Sequence, residues 1–311
     1  MKYSYINRKL NRMSRIVLGG RFGEQPDELS IELLNKYVSL GGNTIDTANQ
    51  YADGKSEIII GKWFQIKDNR SDIFLIDKGC HPSETFPDKS RVTKKAIHED
   101  IDQSLSRLQT SYIDLFLLHR DDESVPVETI IDALNEEVLR GRILSFGASN
   151  WRCERIEKAN RYADMNGIEG FSVSSCGFSL AVPNEPMWKG AMHINADSLE
   201  WHIKNKMPLL AWSSQARGWF SGQYINREKY DADVERVYNT EENRKRLSRT
   251  LTLANHMQTS AIKIALAYLL HKNESVSAII GPQTVLELEE SIGALEIELS
   301  DEQIRYLESG A

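Results

Sequence analysis

The sequence predicts a single (β/α)8 barrel of the TIM type, residues 1–311, with an unusually long connection after its seventh strand. Three observations predict it. Eight short apolar runs are spread along the 311 residues. Each is followed by a segment with helical spacing of its apolar positions. No stretch rich in Pro, Gly or Ser divides the chain into two domains. Continuous apolar strands alternating with helices are the pattern of parallel strands covered by helices, and eight such units close into a barrel. An open doubly wound sheet is the alternative architecture.

In order, RIVLGG (15–20) precedes a helix over 28–40 with Ile31, Leu34 and Val38 on one face. NTIDTA (43–48) precedes SEIIIGKWF, and DIFLID (72–77) precedes a helix marked by Ile97, Ile101, Leu105 and Leu108. YIDLFLLH (112–119) precedes Ile130, Leu134 and Val138. RILSFG (142–147) precedes 153–165, and GFSVSS (170–175) precedes 197–205. PLLAW (208–212) precedes a long polar stretch and then a helix over 260–270. SAIIG (277–281) precedes a last barrel helix over 284–293. Residues 1–14 are expected to cap the bottom of the barrel, and DEQIRYLES to pack on its outside. The connection 213–259 far exceeds the roughly 2–6 residues usual for such loops, and a loop of that length in a compact domain is generally functional.

Composition narrows the function classes. With 45 acidic and 38 basic residues the formal net charge is −7, which gives no general attraction to nucleic acid or anionic membrane. No run approaches the roughly 20 apolar residues of a membrane span. The N-terminus, MKYSYINRKLNRM, is too polar for a signal peptide. Cys80, Cys153 and Cys176 form no CxxC and cannot all pair, which suits reduced thiols in a cytoplasmic protein. There is no GxGxxG and no Walker A, and no HExxH or other clustered metal-ligand spacing, so the sequence offers no metal site of its own. Oligomeric state is not legible.

Chemistry in such barrels sits at the C-terminal ends of the strands. There the sequence places Asp46, with Tyr51 just beyond, then Lys78, His119, Ser149-Asn150 and Trp212-Ser213. Singly these have ordinary readings: a carboxylate after a strand is more often a helix cap, and a lysine can snorkel to the rim. Together they fit one task. A tyrosine hydroxyl, with its pKa of about 10, is a poor acid at neutral pH, and a neighbouring ammonium favours the phenolate. Tyr51 therefore reads as a general acid, Lys78 as its tuner, Asp46 as the carboxylate orienting Lys78, and His119 as the hydrogen-bond donor that positions a substrate carbonyl. A Schiff-base aldolase using Lys78 would leave Tyr51 and Asp46 unexplained.

These segments, DTANQYADGKSE, strand-ending Lys78, DLFLLH, GASN and AWSSQARGWFSG, resemble the signature segments of the aldo-keto reductases over nearly the whole chain. The resemblance implies NAD(P)H-dependent reduction of an aldehyde or ketone to an alcohol, with Tyr51 as proton donor among Asp46, Lys78 and His119. It implies that Gly20, Arg21 and Asp46 lie beside the nicotinamide ribose and that Ser149, Asn150 and Ser175 lie near the carboxamide. Trp212 would stack on the nicotinamide. Ser213, Gln215, Arg217 and Gly218 would cover the pyrophosphate, and Gly281, Gln283, Glu287 and Glu290 would hold the adenosine end. The substrate would be a small sugar-like or aryl carbonyl compound, met by Tyr51, His119, Trp151 and His81. The cofactor expected is NADP(H), only slightly ahead of NAD(H), because Gln283 and Glu287 stand where many relatives have basic residues. A nicotinamide-binding sensor with little turnover is the second reading.

Four departures from the family pattern are visible. The loop after Tyr51, ADGKSE, is two residues longer. Ser175 stands for a Gln. Ser213-Ser214-Gln215 replaces Ser-Pro-Leu, and the adenosine-end helix GPQTVLELEES lacks cations.

Overall fold

A computed structural model describes residues 1–6, 10, 12–20, 22–83, 85–226, 228 and 230–311. Eight parallel strands close into a barrel: β1 (Ile16–Gly19), β2 (Thr44–Asp46), β3 (Phe74–Gly79), β4 (Leu115–Leu118), β5 (Phe146–Ser149), β6 (Ser174–Gly177), β7 (Leu209–Trp212) and β8 (Val276–Ile280). Closure is made by β8, which pairs β7 through Val276 opposite Leu209 and β1 through Ala278 opposite Ile16.

Successive strand side chains point to opposite faces, and the core divides accordingly. Val17, Phe74, Ile76, Leu115, Leu117, Val173 and Leu210 fill the barrel interior. Their strand neighbours Ile16, Leu18, Ile45, Leu75, Phe116, Ala148 and Leu209 face the helices. Both faces are apolar, so the strands read as continuous hydrophobic runs rather than alternating ones.

The helices are α1 (Asp27–Ser39), α2 (Lys55–Lys67), α3 (Lys94–Leu108), α4 (Val127–Leu139), α5 (Cys153–Asn166), α6 (Ala196–Lys204), α7 (Ala232–Tyr238), α8 (Glu241–His256), α9 (Ala261–His271), α10 (Val285–Gly293) and α11 (Asp301–Ser309). Several carry side-chain N-caps, as at Thr93, Asn195, Ser260 and Ser300, which satisfy otherwise orphaned amide donors. The N-terminal segment forms a short hairpin, Tyr3–Ser4 against Met13–Ser14. Met13 and Leu10 join the interior cluster, and the Ser14 amide bonds Thr44 at the start of β2, so these described residues of the segment cover the bottom of the barrel.

The connection 213–259 departs from the expected polar loop, since it contains α7 and α8. In α8, Leu247, Leu253 and Ala254 are buried on one face. The many charged residues between them mask that stripe in the sequence. No helix among the described residues is long and apolar enough to cross a membrane, and Cys80, Cys153 and Cys176 are free thiols.

Candidate active site

The interior face of the barrel changes character at its top. Following the inward alternation upward, each of seven strands reaches a glycine, polar residue or tryptophan within its last three residues or just beyond its end: Gly19, Asp46, Lys78, His119, Ser149, Ser175 and Trp212. Strand registry brings them into one layer, with Gly19 opposite Asp46 and Ser149 opposite Ser175. A continuous cavity of about 1990 Å³ opens over this layer and runs from His81 and Arg120 past Tyr51 to Glu287 on α10.

Lys78 is the hub. Its Nζ donates to Asp46 Oδ2 at 2.6 Å, to the Thr47 carbonyl at 2.9 Å and to the Tyr51 hydroxyl at 3.4 Å. The Lys78 and Asp46 side chains are each only 4% exposed. Burial by itself would depress the ammonium, but the Asp46 carboxylate and the Tyr51 oxygen outweigh it and hold Lys78 above its usual range. It therefore stays charged beside Tyr51.

Tyr51 is placed by the backbone. Thr47 N–H bonds Ile76 O at 2.9 Å and Asn49 N–H bonds Lys78 O at 2.8 Å, so the loop after β2 is laced along the top of β3. The two extra residues after Tyr51 are absorbed in a tight turn in which Ala52, Asp53 and Gly54 take φ values of 51°, 54° and 83°. A side chain at Gly54 would strike the Arg107 guanidinium at 2.5 Å. The insertion therefore leaves Tyr51 over Lys78 and starts α2 immediately afterwards.

His119 packs edge-on to Tyr51, with ring centroids 5.7 Å apart, and to His81 at 4.9 Å. Burial, reinforced by Lys78 and then Arg120, pushes its pKa well below the ordinary imidazole range. The ring is neutral, and its Nδ1 is buried without a partner. His81 lines the cavity and is held by a 2.8 Å contact between Nδ1 and the Pro82 carbonyl. Burial lowers it to about 4.

On the other side, Trp212 lines the cavity and is itself stacked by Trp188, with centroids 4.9 Å apart, and met edge-on by His193. Ser149 and Asn150 line the same cavity. Asn150 donates to Ser149 Oγ at 3.0 Å and to the His119 carbonyl at 3.3 Å, and accepts from the Met192 amide at 3.0 Å. Ser175 is fully buried, with its Oγ unpartnered.

The segment after β7 is tied to the far end of the barrel. Ser214 Oγ donates to the Ile279 carbonyl at 2.7 Å, and Gln215 Nε2 donates to Ser291 Oγ at 2.9 Å. Arg217, at φ 53°, pairs with Asp231 at 2.9 Å. Gly20, Ser213, Gln215, Arg217, Gly218, Gly281, Gln283, Glu287 and Glu290 all line the same cavity. At α10, Thr284 caps the helix, while Glu287 Oε2 accepts from the Gln283 amide at 2.7 Å. Arg21 lies outside the described residues.

One expected substrate residue is not in the cavity. Trp151 is 2% exposed, donates its indole N–H to the Arg120 carbonyl at 3.2 Å, and packs on Phe171 and Arg155. The left-handed Asn150, φ 63°, breaks the strand alternation just before it, so Trp151 turns into the core. Conversely, Arg120 and His193 were not singled out from the sequence. Arg120 directly follows strand-ending His119, and that adjacency was the available signal.

The cavity has room and polar groups for a nicotinamide cofactor. Side chains at Gly218 or Gly281 would enter open space on its wall, and unpartnered polar atoms of Asp46, His119 and Trp212 are concentrated at one end, whereas Ser175, expected near the carboxamide, is buried and does not line the cavity.

A family model described as the Aldo/keto reductase family matches residues 15–310. Norsolorinic acid reductase of Aspergillus flavus is 31% identical over 296 residues, 93% of this chain and 73% of that protein. Aryl-alcohol dehydrogenase [NADP(+)] of Phanerodontia chrysosporium is 29% identical over 311 residues, 92% and 76% of the two chains. A thermostable aldo-keto reductase, solved with the inhibitor epalrestat, superposes with a TM-score of 0.75 at 26% identity and full coverage of both chains. Fold and matches define an NAD(P)-dependent oxidoreductase of the carbonyl-reducing class. The chain belongs to the aldo/keto reductase family.

Proposed function

We propose that the protein reduces an aryl aldehyde or ketone to the alcohol, with Tyr51 as general acid. The observation that carries this is the Lys78 ammonium, bonded at once to Asp46 Oδ2 and to the Tyr51 hydroxyl. The nicotinamide, when bound, supplies the hydride. This chain's residues manage the oxygen and its proton. Neutral His119 offers an N–H to the carbonyl and fixes where it sits. Tyr51 gives its proton to the oxygen as negative charge develops there. Lys78, kept charged by Asp46, stabilises the phenolate left behind. Ser149, Asn150 and Trp212 would hold the nicotinamide. Ser213, Gln215, Arg217 and Gly218 would flank the pyrophosphate, and Gly281, Gln283, Glu287 and Glu290 the adenosine.

The name of one relative, an aryl-alcohol dehydrogenase, favours aromatic over sugar-like substrates, and the aromatic walls of Trp188, Trp212 and His81 suit them. A cofactor sensor without turnover would need no ammonium at the Tyr51 hydroxyl. NADP(H) is the expected cofactor. Glu287 works against it, because its carboxylate occupies the N-terminal turn of α10, where a 2′-phosphate would be favoured.

The test is to mix the protein with NADPH or NADH and a panel of aryl aldehydes, short aldehydes and keto-sugars, following nicotinamide absorbance. Oxidation with the aryl members supports the reading. Cofactor binding without oxidation across the panel would favour the sensor.

A further inference from the structure

Among the described residues, five lysine and arginine side chains line the cavity: Lys78, Arg91, Arg120, Lys189 and Arg217. Four have carboxylate partners, namely Asp46, Asp100, Asp88 and Asp231. Arg120 alone has none among the described residues. It is half-buried at the end of β4, next to His119. One of its donors is used, Nη1 to the His119 carbonyl at 3.0 Å, out of the five that a guanidinium carries. Its own carbonyl is pinned by the Trp151 indole at 3.2 Å. Its guanidinium lies 5.7 Å from the Trp188 ring centroid, and its charge is felt at His81, His119 and Tyr51. It therefore sits on the substrate side of the tyrosine.

Acidic residues nearby do not neutralise it. Asp121 is committed to Arg155, with contacts of 2.9 and 2.7 Å from Nε. Asp122 accepts from the Ser124 hydroxyl and amide. Glu123 faces Arg152. A partly desolvated cation without a partner is costly unless something else supplies the anion, and a guanidinium fork matches a carboxylate in bidentate geometry.

We propose that Arg120 binds a carboxylate on the substrate, so that the preferred substrates are aromatic carbonyl compounds bearing an acid group away from the reacting carbon. This rests on the reductase reading and adds the substrate's charge to it. Trp188 and His81 would flank the aromatic body, Arg120 its acid end, and Tyr51 and His119 the carbonyl.

The test compares kcat/KM for 4-carboxybenzaldehyde and its methyl ester in the wild type, Arg120→Met and Arg120→Lys. The wild type is expected to prefer the acid, chiefly through KM. In Arg120→Met the acid-to-ester ratio should fall about 10–100-fold, the scale of a charged hydrogen-bonded contact, and Arg120→Lys should recover part of it. An unchanged ratio in Arg120→Met, or a wild type that turns over the ester at least as well as the acid, overturns the proposal and leaves the reductase reading standing. If neither aldehyde is reduced, the reductase reading itself fails. Benzoate binding to the protein–NADPH complex, followed by tryptophan quenching, then decides on Arg120. Binding that survives Arg120→Met, or that is absent in the wild type, rejects the site; binding lost in that variant supports it.

Discussion

The two ends of the cavity are built differently. At the proposed catalytic end, Asp46, Lys78, His119, Ser149 and Ser175 come from consecutive barrel strands, are almost fully buried, and are fixed by strand registry. At the proposed adenosine end, Gln283 and Glu287 are exposed, and the contacts that order them are short-range ones within one loop and the first turn of α10. The difference teaches where this chain has freedom to change. A buried charge pair in a barrel tolerates little, whereas surface residues at a helix start can be exchanged without disturbing the fold.

The largest effect should follow from removing Lys78. Lys78→Met leaves Asp46 buried without its cation, a change that costs about 3–5 kcal/mol in comparable buried pairs. Thermal unfolding should show a marked loss of Tm, and carbonyl reduction should fall along with it. A variant with wild-type Tm and turnover would erase the contrast between the two ends.

Glu287→Arg tests the other end. It removes the carboxylate from the α10 N-terminus and supplies a cation for a 2′-phosphate, so the NADPH/NADH ratio of kcat/KM should rise by about tenfold, the scale of one favourable charged contact. Tm should change little. An unaltered ratio would mean that Glu287 does not set cofactor choice.

Trp212→Ala lies between the two regions. It removes an aromatic stacking surface worth about 0.5–1.5 kcal/mol, so cofactor Kd should weaken by roughly 2–10-fold, as read by titration. Unchanged affinity would show that the nicotinamide does not use this face.

The smallest effect concerns Asp77, next to Lys78 on β3 but facing the helices. Burial, followed by Glu57, raises its pKa well above the usual value of 3.8. Above about 3.8 the unfolded chain ionises it, while the fold keeps it protonated to higher pH. The unfolded state therefore binds fewer protons, and this residue's contribution declines as pH rises above about 3.8 towards the raised value. Asp77→Asn should match or exceed the wild-type Tm at neutral pH, with the gap closing towards pH 4. A variant less stable at every pH would contradict this.

The gathering of Asp46, Lys78 and His119 at one end of the barrel was legible in the sequence because strand parity is a strong rule. A Lys, a His and an Asp ending apolar runs must share the barrel mouth once eight units close. Legibility ended where that rule does. Trp151 follows a left-handed residue, so its direction could not be read from alternation. The cofactor-end residues sit on a turn and a helix start, where the sequence carries only the lack of a cation. In α8 the charged residues hid a buried stripe. Unpaired Arg120 could not be recognised from sequence, because pairing is a property of all its neighbours at once.

The central claim is that the Tyr51 hydroxyl, tuned by Lys78, delivers the proton. It is tested most directly by Tyr51→Phe, measuring NADPH oxidation with an aryl aldehyde alongside NADPH affinity and Tm. The account predicts intact fold and cofactor binding with turnover reduced by about 10²–10⁴-fold, the usual worth of a positioned general acid. Turnover close to that of the wild type would contradict it.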